Sequence, residues 1–122
     1  MLSAHIRRID ETMLCIYLCG DIDLASEESF GAVLRNAIAN GATHIVLNVR
    51  HVGYMDSCGF GVLIGARRQL TRLGRIALVG ANKRVQRLFN VTGLHKMFDL
   101  FELESEAIEH LQARRNPQYA AS

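Results

Sequence analysis

Ser57 follows an aspartate and precedes Cys58-Gly59-Phe60-Gly61, just where helical spacing takes over from the apolar, β-branched run Ile45-Val46-Leu47-Asn48-Val49. A hydroxyl at a helix N-terminus stands among free backbone N–H groups and at the positive end of the helix dipole. That setting favours a phosphate carried on its oxygen. Serine and aspartate are also the ordinary N-cap residues, so Asp56-Ser57 reads equally well as a simple cap. Two further chemistries use a serine or glycines at such a turn. A nucleophile elbow requires G-x-S-x-G, and Met55 stands where the first glycine belongs. A dinucleotide fingerprint begins directly after its strand, whereas Gly59, Gly61 and Gly65 come well after Val49, and no acid follows Val79-Gly80 to hold a ribose. The histidines His5, His44, His51, His95 and His110 show no spacing that marks a base or a metal site.

The helix that carries Ser57 has two faces. At about 100° per residue, Gly59, Val62, Leu63, Ala66, Leu70 and Leu73 fall on one side and form its core stripe. Ser57, Phe60, Gly61, Ile64, Arg67, Arg68 and Thr71 fall opposite, toward solvent. Phe60 and Ile64, flanked by arginines and next to the serine, have the make-up of a docking surface; a Phe60 packed beneath a neighbouring loop is the equal alternative.

The elements that position this helix follow from periodicity and turn chemistry. Ala4 to Ile9 alternates weakly as an edge strand and joins the apolar strand Met13 to Cys19 through a hairpin at Asp10 to Thr12. Gly20-Asp21-Ile22-Asp23 ends that strand. Phe30, Val33, Leu34, Ala37 and Ile38 are the inner stripe of a helix ending near Gly41. After the strand at Ile45 to Val49, the Ser57 helix runs to about Leu73 and is closed by Gly74. Ile76 to Val79 is a buried strand. Asn82 caps a short helix with Val85, Leu88 and Phe89 inward and Gly93 just past its end. Met97 to Leu103 holds a last short strand, and Ser105 begins a terminal helix with Ile108 and Leu111 inward. Alternating strands and helices with an early hairpin predict an α/β sandwich on a mixed sheet. Residues 1–113 are expected to form a single domain, and 114–122 are expected to be a disordered tail.

Composition narrows the class. A chain of 122 residues with 49% apolar and 21% charged residues suits one soluble domain that buries its own core. No apolar run approaches a membrane span, and the first residues lack signal-peptide order, so a cytoplasmic monomer is expected. The formal net charge of +2 is too small to indicate nucleic acid. Arg67, Arg68, Arg72, Arg75, Lys83, Arg84 and Arg87 read as a solvated helical surface. Cys15 and Cys19, about 13 Å apart along one strand, share neither a disulfide nor a zinc ion, and the cysteines read as buried reduced thiols. No cofactor is expected.

Four motifs in order carry a resemblance that extends over nearly the whole chain. They are Gly20-Asp21-Ile22-Asp23, His44-Ile45-Val46-Leu47-Asn48, Met55-Asp56-Ser57 with Gly59 and Gly61, and Val85-Gln86-Arg87-Leu88-Phe89 with Thr92-Gly93-Leu94. The chain resembles the STAS domain family, particularly the small soluble anti-sigma factor antagonists of bacteria. The resemblance implies the STAS fold, a mixed sheet of four to five strands packed against about four α-helices. It also implies a protein switch without catalysis. In the unphosphorylated form such an antagonist binds an anti-sigma factor that has serine kinase activity, and so releases a sigma factor to direct transcription in a stress response. Phosphorylation of the serine after the aspartate, Ser57 here, ends the binding, and a serine phosphatase restores it. The partner surface would include Asp21, Asp23, Asp56, Ser57, Cys58 and Gly59 together with Phe60, Gly61, Ile64, Arg67 and Arg68. Cys58 departs from the family, which commonly has serine or threonine there. STAS domains also act as scaffolds in stress-sensing complexes and as accessory subunits of transport systems, which is the alternative reading; a nucleotide-binding protein comes behind both.

Overall fold

The computed structural model describes residues 1–115. The hairpin comes first. Asp10 accepts hydrogen bonds from the N–H groups of Thr12 at 3.0 Å and Met13 at 2.9 Å. This side-chain turn reverses the chain between β1 (Ser3–Arg8) and β2 (Met13–Cys19), which pair antiparallel with Ile6 opposite Ile16. A short 3-10 turn (Leu24–Ser26) leads into α1 (Glu27–Ala39), followed by β3 (His44–His51) and α2 (Ser57–Gln69). Then come β4 (Arg75–Val79), α3 (Lys83–Thr92), a 3-10 turn (Leu94–Lys96), β5 (Asp99–Phe101) and α4 (Glu104–Arg115).

The strands lie in chain order, β1-β2-β3-β4-β5, and from β2 onward all pairs are parallel. Right-handed crossovers between successive neighbours place every crossover helix on the same face. Accordingly α1, α2 and α3 share one face, and α4 covers the other. Strand alternation feeds both sides. Leu14, Ile16, Leu18, Ile45, Leu47, Ile76 and Leu78 join the larger core with Phe30, Leu34, Leu63, Val85 and Phe89. Met13, Cys15, Val46, Ala77 and Val79 meet Ala107 and Leu111 of α4. The fold is the mixed-sheet α/β arrangement expected from the sequence.

Polar contacts fasten α4 over the smaller core. Glu104 pairs with Arg7 at 2.5 Å and accepts from the Cys15 thiol at 3.3 Å; burial pushes that thiol up to about 11. Asp99 of β5 receives the guanidinium of Arg75 in β4 through two bonds, at 2.8 and 2.9 Å, and lies 3.4 Å from the His110 imidazole of α4. At the far end Arg115 pairs with Asp10 of the hairpin at 2.8 Å. The helix therefore continues two residues beyond Ala113, where the expected tail begins, and the rest of that tail lies outside the described residues.

Two details differ from the sequence reading. Helix α2 ends at Gln69, and Leu70 takes an extended ψ of 156°, so Leu73 leaves the core stripe and is 76% exposed. Cys15 is buried as expected, but Cys19 ends β2 and is exposed, and Cys58 is half-buried. No helix among the described residues is long and apolar enough to cross a membrane.

Candidate phosphorylation and partner-binding site

Asp56 is the residue that caps α2. Its backbone is extended, with φ −108° and ψ −170°, and its Oδ1 accepts from the N–H of Cys58 at 2.9 Å and of Gly59 at 3.4 Å. Ser57 is therefore the first helical residue, and it is exposed. With the cap supplied by its neighbour, the Ser57 hydroxyl is not needed to start the helix.

The loop before Ser57 is held from two sides. Ile22 and Met55 form a parallel bridge, with the Ile22 N–H donating to the Tyr54 carbonyl at 2.9 Å and the Asp56 N–H donating to the Ile22 carbonyl at 3.1 Å. On the other side the Asn82 side-chain amide donates to the Gly53 carbonyl at 3.2 Å. Asn82 thus caps α3 and braces the serine loop at once. The bridge brings the Asp21 to Asp23 turn alongside this loop. Asp21 is exposed, and its Oδ1 is 3.7 Å from the point where a side chain at Gly53 would begin. Asp23 is half-buried and caps the 3-10 turn, accepting from the Ser26 N–H at 3.1 Å while the Ser26 hydroxyl receives the Asp23 N–H at 3.0 Å. Cys58 faces the same acidic region. Burial, followed by the carboxylates of Asp56, Glu27 and Asp23, raises its thiol above the ordinary range.

Gly59 is buried, and a side chain there would stand 2.7 Å from both Ile22 Cγ2 and Met55 Cγ. It is the packing point that seats α2 against the Ile22–Met55 bridge, and in the free chain it is covered, not exposed. Of the two readings of Phe60, the packed one holds, against a helix where a loop was expected. Phe60 is 9% exposed and packs edge to face on Phe89 of α3, with ring centroids 5.3 Å apart. Its position opposite the core stripe directs it to a neighbouring helix, not to water. Ile64 is half-buried against the core and Arg67 is half-buried, while Gly61 and Arg68 are exposed.

The structure thus gathers Ser57, Asp21, Asp23, Asp56 and Cys58 at one end of α2, and leaves Gly61 and Arg68 along its open side. Exposed apolar side chains missed by the sequence reading flank this end: Leu24 at 74% and Tyr54 at 40%. Leu24 stands between Asp23 and Ala25-Ser26-Glu27-Glu28, outside the inner stripe of α1 that begins at Phe30, and that position was the available signal. Among the described residues no group of three or more His, Cys, Asp or Glu could hold a metal ion. The strand order has no reversal, so the fold lacks the switch-point crevice in which doubly wound sheets bind dinucleotides.

Comparison with known proteins identifies the family and the fold. The family model for the STAS domain matches residues 4–107. The chain is 29% identical over 106 residues to the anti-sigma-B factor antagonist of Listeria monocytogenes, covering 86% of this chain and 93% of that one. Its structure is similar to the anti-sigma factor antagonist SpoIIAA in its unphosphorylated form, with a TM-score of 0.78 and 26% identity over 91% of this chain and 97% of that one. It is also similar to the Bacillus cell fate determinant SpoIIAA in the phosphorylated form, with a TM-score of 0.70 and 25% identity over 89% of this chain and 99% of the other. With a family model spanning nearly the whole described chain and a matching fold, this protein belongs to the STAS domain family.

Proposed function

We propose that this chain is an anti-sigma factor antagonist whose state is set by phosphorylation of Ser57. The unphosphorylated form binds an anti-sigma factor with serine kinase activity and so releases a sigma factor. Phosphorylation of Ser57 by that kinase ends the binding, and a serine phosphatase restores it. The chain is then a substrate of other enzymes and acts through its contacts in the cytoplasm.

The observation that carries this reading is the exposed Ser57 at the first helical position, with Asp56 already serving as the cap. The names of the relatives support it: they are anti-sigma factor antagonists, and SpoIIAA is known in both phosphorylated and unphosphorylated forms. A phosphate brings a charge of about −1.5 to −2. At a helix N-terminus that charge is tolerated, so the fold persists and the effect falls on the interface. Losing about 3 kcal/mol there weakens binding by about two orders of magnitude, enough to reverse a competition between partners.

The test is binding and phosphorylation by an anti-sigma factor from the same genome. Ser57→Ala should bind and take up no phosphate from Mg-ATP, whereas Ser57→Asp should remain folded and bind about a hundredfold more weakly. Equal binding by the two variants, or phosphate found by mass spectrometry at another residue, would refute the switch.

A further inference from the structure

The charge of this chain is divided along its length. Residues 57–98 contain eight of the 14 Lys and Arg residues and none of the 12 Asp and Glu residues. That stretch supplies α2, β4 and α3. Among the described residues Arg75 alone of these eight takes part in an ion pair, with Asp99. Arg68, Arg72, Lys83, Arg84, Arg87 and Lys96 are all exposed.

Arg67 and Arg68 belong to α2 and Lys83, Arg84 and Arg87 to α3, while Arg72 follows α2 and Lys96 ends the second 3-10 turn. The two helices meet through Phe60 and Phe89. Gln86 and Asn90 turn toward β5, where they line a cavity with Phe98 and Phe101. By helical period the opposite edge of α3, Arg84, Leu88 and Val91, then turns toward α2. Val91 is 76% exposed, and Leu88 is half-buried. Ile64, half-buried, and Arg68, exposed, stand on the α2 side. Cations and accessible aliphatic groups are therefore mixed on one face. Across the N-terminus of α2 the sign reverses, with Asp21, Asp23, Glu27 and Glu28 along the turn and the start of α1. Ser57 stands on the seam.

We propose that the α2–α3 face docks an acidic surface of the anti-sigma factor, which extends the contact from the serine loop across both helices. The proposal rests on the antagonist reading and adds the chemistry of the partner. A stable interface covers about 800 Å² on each side, far more than one loop offers, and the cationic face adjoins that loop directly. Val91, Leu88 and Ile64 give the apolar contacts that a protein partner can desolvate. The acidic side of the seam would repel a nucleic acid tracking past Ser57. A phosphate on Ser57 would add negative charge where the acidic partner arrives, so repulsion separates the complex.

The test measures association of the full chain with an anti-sigma factor of its own genome at about 50 and about 500 mM salt. It compares wild type, the triple variant Arg68→Glu/Arg84→Glu/Arg87→Glu and its Arg→Gln counterpart. The wild-type on-rate should fall about tenfold with salt. The Glu variant should lose about tenfold at low salt and become nearly salt-independent, with the Gln variant between them. Should the Glu variant unfold on heating before wild type does, the Gln variant decides. Tight wild-type binding that neither salt nor the Gln variant changes overturns the acidic partner and leaves the antagonist reading intact. No binding by wild type overturns both. If a DNA duplex binds wild type and not the Glu variant, while anti-sigma factor binding is the same for both, the face belongs to nucleic acid and the proposal fails.

Discussion

Phe60 and Phe89 meet edge to face, their ring centroids 5.3 Å apart and their planes at 83°. Phe89 continues the contact to Phe98 at 5.9 Å. This chain of rings joins α2 to α3 and to the segment before β5, and so fixes the distance between the two helices beside Ser57. Removing the Phe60 ring leaves a cavity between them. Phe60→Ala should cost about 3 kcal/mol of folding stability, and Phe60→Leu about 1 kcal/mol. Urea unfolding midpoints check both; a loss below about 0.5 kcal/mol for the alanine variant would return Phe60 to the surface.

The division of labour between Asp56 and Ser57 gives a second test. Asp56 accepts the N–H groups of Cys58 and Gly59, so Asp56→Ala should lose about 1 kcal/mol. Ser57→Ala removes an exposed hydroxyl from the first helical position and should stay within about 0.5 kcal/mol of wild type. Chemical denaturation of the two variants decides the matter. The reverse order of stabilities would make Ser57 the cap and would leave its hydroxyl committed to the helix.

Two glycines two residues apart in α2 should respond in opposite directions. A methyl at Gly59 would press on the buried Ile22 and Met55 side chains at 2.7 Å, whereas nothing lies within 4 Å of one at Gly61. Alanine is the better helix former by about 1 kcal/mol. Gly61→Ala should therefore raise stability by about 0.5 to 1 kcal/mol, and Gly59→Ala should lower it by about 1 to 3 kcal/mol. Thermal melts of the pair check the signs. A stabilising Gly59→Ala would mean that the Ile22–Met55 bridge does not press on this helix.

Much of the frame was legible because it is written locally. Apolar runs such as Ile45 to Val49 and Ile76 to Val79 mark buried parallel strands, and Asp56 and Asn82 mark helix starts through their own side chains. What escaped depends on partners distant in sequence. A helical wheel divides core from solvent, but α2 lies between α1 and α3, so its covered arc is wider than a half circle and Phe60 falls inside it. The Ile22–Met55 bridge joins segments from either side of α1 and β3, with no local pattern to announce it. Leu73 kept the helical spacing in the sequence, yet the chain had already left the helix at Leu70.

His44 makes stability depend on pH. It begins β3 only 2% exposed, with Nδ1 2.8 Å from the Thr43 hydroxyl. Burial first, then the Arg115 and Arg75 guanidiniums, hold its pKa below the ordinary 6.5, while Asp10 pulls the other way. The folded state thus keeps the imidazole neutral where the unfolded chain would protonate it. Below pH 6.5 the unfolded state binds more protons, so stability is complete above that value and falls as pH drops through it, levelling once the folded imidazole itself protonates. Asp10 and Asp99, whose carboxyls are held below the ordinary 3.8, lose their stabilising effect in a separate and more acidic window. Urea midpoints measured from about pH 7.5 to about pH 5 should decline for wild type and stay nearly flat for His44→Gln. An equal decline in both would assign the acid sensitivity to another group.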